Sequence, residues 1–205
     1  MTSSRRQFVA AVVLGFALAG PALGAASKVA LPDDMALGNP KAKVTVIEYA
    51  SASCPHCAHF NNDVFPAFKA KYIDTGKIHY VFREFLTPPA EVAAASFLIA
   101  RCAGKDKYFS VLDTIFRGQQ QMYQSGDIKG ALAHAASVGG MSEAQLDACL
   151  TDEAAGDALN ARVERYAKVD GINLTPTFVI NGKKMEAEAT LANLDAAIAS
   201  AHSSR

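Results

Sequence analysis

The chain has 205 residues, half of them hydrophobic, with equal numbers of basic and acidic side chains. That length suits one domain, or one domain carrying an insertion. Zero net charge gives no reason to expect nucleic acid or an anionic membrane surface as partner, and the body of the chain holds no apolar run of membrane-spanning length.

Arg5-Arg6 precede an apolar run from Phe8 to Leu18 and then the small residues Ala19-Gly20-Pro21-Ala22-Leu23-Gly24. A charged start, a short apolar stretch and small residues at its end are the pattern of a signal peptide, here residues 1–24, with cleavage after Gly24 or Ala26. Ser4-Arg5-Arg6-Gln7-Phe8-Val9 also resembles a twin-arginine export signal, so both the general and the twin-arginine routes stay open. The expected location is the periplasm, where disulfides persist.

Residues 25–42 read as a short lead, partly extended, broken by Pro32, Gly38 and Pro40. Lys43 to Ala50 reads as a buried strand. Cys54-Pro55-His56-Cys57 comes next, and Phe60, Val64, Phe68 and Tyr72 then recur at helical spacing. Pro66 removes a backbone donor and should kink this helix, which ends near Asp74-Thr75-Gly76. Ile78 to Leu86 is a second strand. A strand, helix and strand of this length imply parallel pairing through a right-handed crossover.

Thr87-Pro88-Pro89 breaks the pattern, and helices dominate the chain from Ala90 to Val169. They are expected over Ala90–Ala103, Lys107–Arg117 and Ile128–Ser137, then from the Ser142/Gln145 capping box to Leu150, and over Thr151–Val169. Thr177 to Glu186 is a hairpin around Asn181-Gly182, and Leu191 to Ala201 is a closing helix. Strands at both ends with helices between them give an α/β fold of β-α-β … β-β-α order, interrupted by an all-helical subdomain. The expected division is 43–87 with 175–205 for the α/β part and 88–174 for the insertion.

A CxxC where a strand meets a helix beside a βαβ unit is a thioredoxin-like redox motif. The helix N-terminus supplies unpaired N–H groups and partial positive charge, which favour a thiolate at Cys54 and lower its pKa to about 3.5–7.5. Cys57, one turn on, is the resolving sulfur, and His56 between them favours the Cys54 thiolate. Four cysteines allow three pairings. The local Cys54–Cys57 pair leaves Cys102 with Cys149 as a structural disulfide. Glu48 is an acid in an apolar strand, and burial would raise its pKa so that it could exchange a proton with Cys57. A different chemistry stays open, in which Cys54, Cys57 and His59 hold copper or zinc.

Three motifs together resemble the DsbA-like family of exported thiol:disulfide oxidoreductases, over almost the whole chain after the signal. They are Cys54-Pro55-His56-Cys57, Thr175-Pro176-Thr177-Phe178 and Glu48 six residues before Cys54. The resemblance implies a thioredoxin fold with a helical insertion and a cis bond before Pro176. Thr175, Pro176 and Thr177 would line the substrate groove, with Pro55, His56 and Glu48 supporting the active site. It implies no cofactor beyond the Cys54–Cys57 disulfide and no metal. Its partners would be reduced exported proteins and a DsbB-like membrane protein that reoxidises the pair. Thr175 stands where the best-known oxidants carry Val and resembles the isomerase-like branches, so an isomerase or reductase is the same-fold alternative. Only a short lead separates the signal from the first strand, which leaves no dimerisation arm, and a monomer is expected.

Overall fold

Alternation along the strand Val44–Ala50 sets the layout of the molecule. Val44, Val46 and Ala50 enter the main core, whereas Ile47 and Tyr49 enter a second cluster on the other face. Successive side chains of a strand point to opposite faces, so Glu48 lies on the main-core side with the CxxC helix. The computed structural model describes residues 30–203, and the signal sequence expected at 1–24 lies outside the described residues.

The elements in chain order are β1 (Met35–Gly38), β2 (Val44–Ala50), α1 (Pro55–His59), α2 (Phe65–Phe68) and β3 (Ile78–Glu84). Helices α3 (Ala90–Cys102), α4 (Lys105–Ser125), α5 (Ile128–Val138), α6 (Glu143–Leu150) and α7 (Glu153–Lys168) come next. The chain closes with β4 (Thr177–Ile180), β5 (Lys183–Lys184) and α8 (Leu191–Ser203). The sheet order is β1-β3-β2-β4-β5, with β2 and β3 parallel and the other pairs antiparallel.

Several elements differ from the sequence reading. The lead contains β1, an edge strand in which Met35 pairs with Phe82 and Gly38 with His79. Gly38 has φ +82°, and a Cβ there would sit 2.5 Å from the Ile78 carbonyl oxygen. The helix after the CxxC starts at Pro55 and is widened rather than simply kinked. π-helical turns at Phe60–Val64 and Lys69–Ile73 flank α2, and the Phe65 N–H reaches back to the Phe60 carbonyl. Pro66, in the first turn of α2, has no N–H to give, and the wider turn accommodates it. Helix α4 runs through Gly118 to Ser125, well past Arg117. The Ser142/Gln145 capping box at α6 is complete.

Between β3 and β4 the helices pack on one another and return through α7 to the sheet. Cys102, at the end of α3, and Cys149, in α6, are joined by a disulfide with 2.09 Å between sulfurs. A buried polar cluster ties these helices to the sheet end nearest the CxxC. Arg83 pairs with Asp34 at 2.9 Å and Asp170 at 3.0 Å, while Glu84 receives Arg101 at 2.5 Å and Arg162 at 3.0 Å. The Tyr49 and Tyr166 rings flank the Arg83 guanidinium at 5.5 and 5.2 Å.

Candidate active site

Strand β2 ends at Ala50, and Ser51-Ala52-Ser53 turns the chain into α1. Cys54 is the extended residue before that helix, and Pro55 occupies its first turn, where a missing N–H costs nothing. No acidic residue lies in the first turn of α1, so nothing there opposes a negative sulfur. The two sulfurs are not bonded to each other.

The two sulfurs have opposite environments. Cys54 is 7% exposed and faces the loop before β4. Its thiol donates to the Thr175 carbonyl at 3.4 Å, and the Thr175–Pro176 bond is cis. A hydrogen bond from the Cys57 thiol is the main cause that brings the Cys54 pKa down to about 5, against the opposing effect of burial. Thr175 and the backbone N–H groups of Cys57 and His56 act in the same direction. The Thr175 hydroxyl makes no hydrogen bond of normal geometry, so the backbone groups are the firmer part of that support. Cys57 is fully buried, and burial, followed by the adjacent Cys54, pushes its thiol well above the ordinary value. Its sulfur accepts the Ser51 N–H at 3.5 Å.

Glu48 is buried and couples electrostatically to both sulfurs. Tyr80 donates its hydroxyl to Glu48 Oε2 at 2.5 Å. Burial drives the carboxyl up to about 8; the Tyr80 hydrogen bond opposes this, and charge on Cys54 adds to it. Burial thus favours the neutral form of Glu48 around neutral pH, within electrostatic reach of Cys57.

A groove of about 480 Å³ opens beside Cys54, lined among others by His56, His59, Leu174, Thr175, Pro176 and Met185. Leu174 is 56% exposed at its edge. A larger cavity of about 760 Å³ lies between the β4–β5 hairpin and α8, and neither cysteine lines either space. The His56 side chain is exposed, and its support of the sulfur comes from its backbone N–H rather than its ring. The Thr177 hydroxyl donates to the Leu174 carbonyl at 2.8 Å and so braces the turn around Pro176. His59 does not join the cysteines. Its Nδ1 lies 2.7 Å from Asp63, and among the described residues no group of three or more His, Cys, Asp or Glu converges to hold a metal.

Two sets of groups at the site had no signal in the sequence. The Ser51, Ser53 and Thr87 hydroxyls form a network, with Ser51 to Ser53 at 3.0 Å, Thr87 to Ser51 at 2.9 Å, and Ser53 to the Thr87 carbonyl at 2.6 Å. From α4, Gln119 reaches the carbonyls of Ala52 and Cys54. Both depend on contacts between distant segments, which a local pattern does not carry.

Comparison with known proteins agrees with this geometry. The family model described as Thioredoxin matches residues 30–200. A Rickettsia typhi protein provisionally named a protein-disulfide oxidoreductase is 38% identical over 155 residues, covering 75% of this chain and 57% of that protein. The chain thus spans somewhat over half the length of the curated relatives it matches. The crystal structure of Wolbachia pipientis alpha-DsbA1 is 28% identical with a TM-score of 0.77, covering 85% of this chain and 93% of that one. Oxidised BdbD from Bacillus subtilis shares the fold, with a TM-score of 0.72 at 23% identity, over 87% of this chain and 97% of that one.

Proposed function

The chain belongs to the thioredoxin family, and within it we propose that it is a thiol:disulfide oxidoreductase that oxidises exported proteins through a Cys54–Cys57 disulfide. The observation that carries this reading is the asymmetry of the pair. Cys54 lies at the helix start against Thr175, which lines the groove, and is stabilised as a thiolate, whereas Cys57 is sealed in the core and held as a thiol.

The chemistry rests on that asymmetry. A substrate thiolate attacks Cys54 Sγ, the Cys54–Cys57 bond breaks, and Cys57 leaves with the electron pair. Glu48, neutral and buried, supplies the proton that Cys57 requires. A second substrate thiolate then attacks the substrate sulfur of the mixed disulfide and expels Cys54. A low-pKa thiolate leaves readily, so this step favours substrate oxidation. The protein ends as the dithiol with two electrons gained. A DsbB-like membrane partner coupled to quinone would remove them. The Thr175 carbonyl lies 3.4 Å from Cys54 Sγ, so an extended substrate segment that pairs with this backbone would reach the sulfur. Pro55 starts the helix, Thr177 braces the turn, and Cys102–Cys149 holds α3 to α6.

The reading places the protein in the periplasm after removal of residues 1–24, with the thioredoxin-like part at 43–87 and 175–205 and the helical part at 88–174. It acts as a monomer. Among the described residues the large exposed apolar side chains are one each on α4, α5 and α6 and two in the stretch after α7. The test is oxidative refolding of a reduced, unfolded two-cysteine protein. The oxidised wild type should drive disulfide formation stoichiometrically, and Cys54→Ser should be inactive. Full activity of Cys54→Ser would refute the reading. Thiol trapping in cells separates an oxidant, found as the disulfide, from an isomerase or reductase, found as the dithiol.

A further inference from the structure

Gln119 is the feature of the site that this chemistry leaves without a role. It sits on α4 and is 3% exposed. Its Nε2 donates to the Ala52 carbonyl at 2.7 Å and to the Cys54 carbonyl at 3.3 Å. Both partners are acceptors only, which fixes the amide with its nitrogen toward the loop. The Cys54 carbonyl also receives the Cys57 and Ala58 N–H groups, each at 3.1 Å, so it is the hydrogen-bond origin of α1. One side chain of the inserted helices thus grips the peptide groups on which the first turn of the CxxC helix is built.

We propose that Gln119 is a positioning residue for the Cys54 thiolate, and that through it the inserted helices set the reactivity of the dithiol. The Ala52 and Cys54 carbonyls lie in a buried loop, and the Gln119 amide offsets their negative ends. Without that donor the Cys54 carbonyl keeps the Cys57 and Ala58 N–H groups, but the buried Ala52 carbonyl two residues before the sulfur loses the Gln119 amide, and its negative end is less offset near a forming thiolate. The first turn, whose His56 and Cys57 N–H groups support the sulfur, also loses its anchor. Both effects disfavour the thiolate. Loss of the amide should therefore raise the Cys54 pKa and make the disulfide a weaker oxidant, because the reduced form is less stabilised.

The inference rests on Cys54 being the reactive sulfur, and the experiment separates the two. Gln119→Met keeps the length of the side chain and removes the donor. The thiolate absorbance of the reduced protein is titrated, and the dithiol is equilibrated with glutathione. The variant should shift the thiolate transition upward by about half a unit or more and move the equilibrium about threefold toward the disulfide. An unmoved transition, with the reduced and oxidised forms losing stability equally, would show a merely structural residue and overturn the proposal. A low transition that persists in Cys54→Ser would instead overturn the assignment of Cys54. If Gln119→Met does not fold, the side-chain amide resonances of Gln119 in the reduced wild type are followed against pH. They should move with the Cys54 transition, and stationary resonances would overturn the proposal.

Discussion

The stability of the two redox forms should depend on pH to different extents, and the size of the difference is set by Cys54. Folding depresses its pKa from 9.0 to about 5. A depressed acid stabilises the fold fully above its unfolded pKa, and that contribution disappears as pH falls through the folded one. At pH 7 the two-unit gap between pH and the folded pKa corresponds to about 2.7 kcal/mol in the reduced form, which falls to about 2 kcal/mol once solvent screening at the partly accessible sulfur is allowed for. The oxidised form has no thiolate, but its Cys54–Cys57 ring restrains the unfolded chain by about 2 kcal/mol. The two terms nearly cancel at pH 7, so the pH dependence of the gap is the diagnostic. Burial, the main cause of the Glu48 shift, is present in both forms and cancels from the difference. Cys57 is a thiol in folded and unfolded chains at neutral pH and adds nothing. Raising the pH from 5 to 7 should therefore stabilise the reduced form over the oxidised one by about 2 kcal/mol, or about 4–8 °C in the difference between melting temperatures. Circular dichroism is the assay, since the chain has no Trp. A gap that stays constant with pH, or moves the other way, would refute the thiolate account.

Glu48→Gln should stabilise the protein while slowing it. A carboxyl raised from 4.5 to about 8 by folding weakens the fold increasingly as pH rises between those values, by about 3 kcal/mol at pH 7. Melting at pH 7 should show a gain up to that size, and stopped-flow oxidation of a dithiol should be slower by about tenfold or more; a variant as fast as the wild type would remove Glu48 from the mechanism. Arg83→Met strips the guanidinium from Asp34 and Asp170 in the interior and should cost about 3–5 kcal/mol in urea unfolding, whereas a loss below about 1 kcal/mol would show that the cluster is dispensable. Replacing Cys102 and Cys149 together by Ala opens a link between residues 47 apart and should cost up to about 4 kcal/mol in the same assay, with stability unchanged as the contrary result.

What the sequence made legible was local. The CxxC between an apolar strand and a helical repeat, the Ser142/Gln145 box and the Asn181-Gly182 turn each carry their geometry within a few residues. Strand β1 was not legible, because four residues ending in a glycine show no period, and only pairing with β3 makes them a strand. The helical signal of α4 ends at Arg117, before Gly118, yet Met122 continues its buried face beyond that glycine. Arg83 and Glu84 read as the end of an apolar strand. Their partners come from Asp34, Arg101, Arg162 and Asp170, which only the fold brings together. Gln119 is hidden for the same reason, since its acceptors are backbone carbonyls more than sixty residues away.

The central claim is that Cys54 is the sulfur that bonds to substrate and that Cys57 forms and breaks the intramolecular disulfide with it. Its most direct measurement is a trapping experiment with Cys57→Ser. The variant is mixed with a protein carrying an activated disulfide, and the products are separated without reductant and mapped by mass spectrometry. The account predicts a long-lived mixed disulfide through Cys54, absent from Cys54→Ser and resolved within the mixing time by the wild type. Release of the substrate from Cys57→Ser as fast as from the wild type, or linkage through any other cysteine, would contradict it.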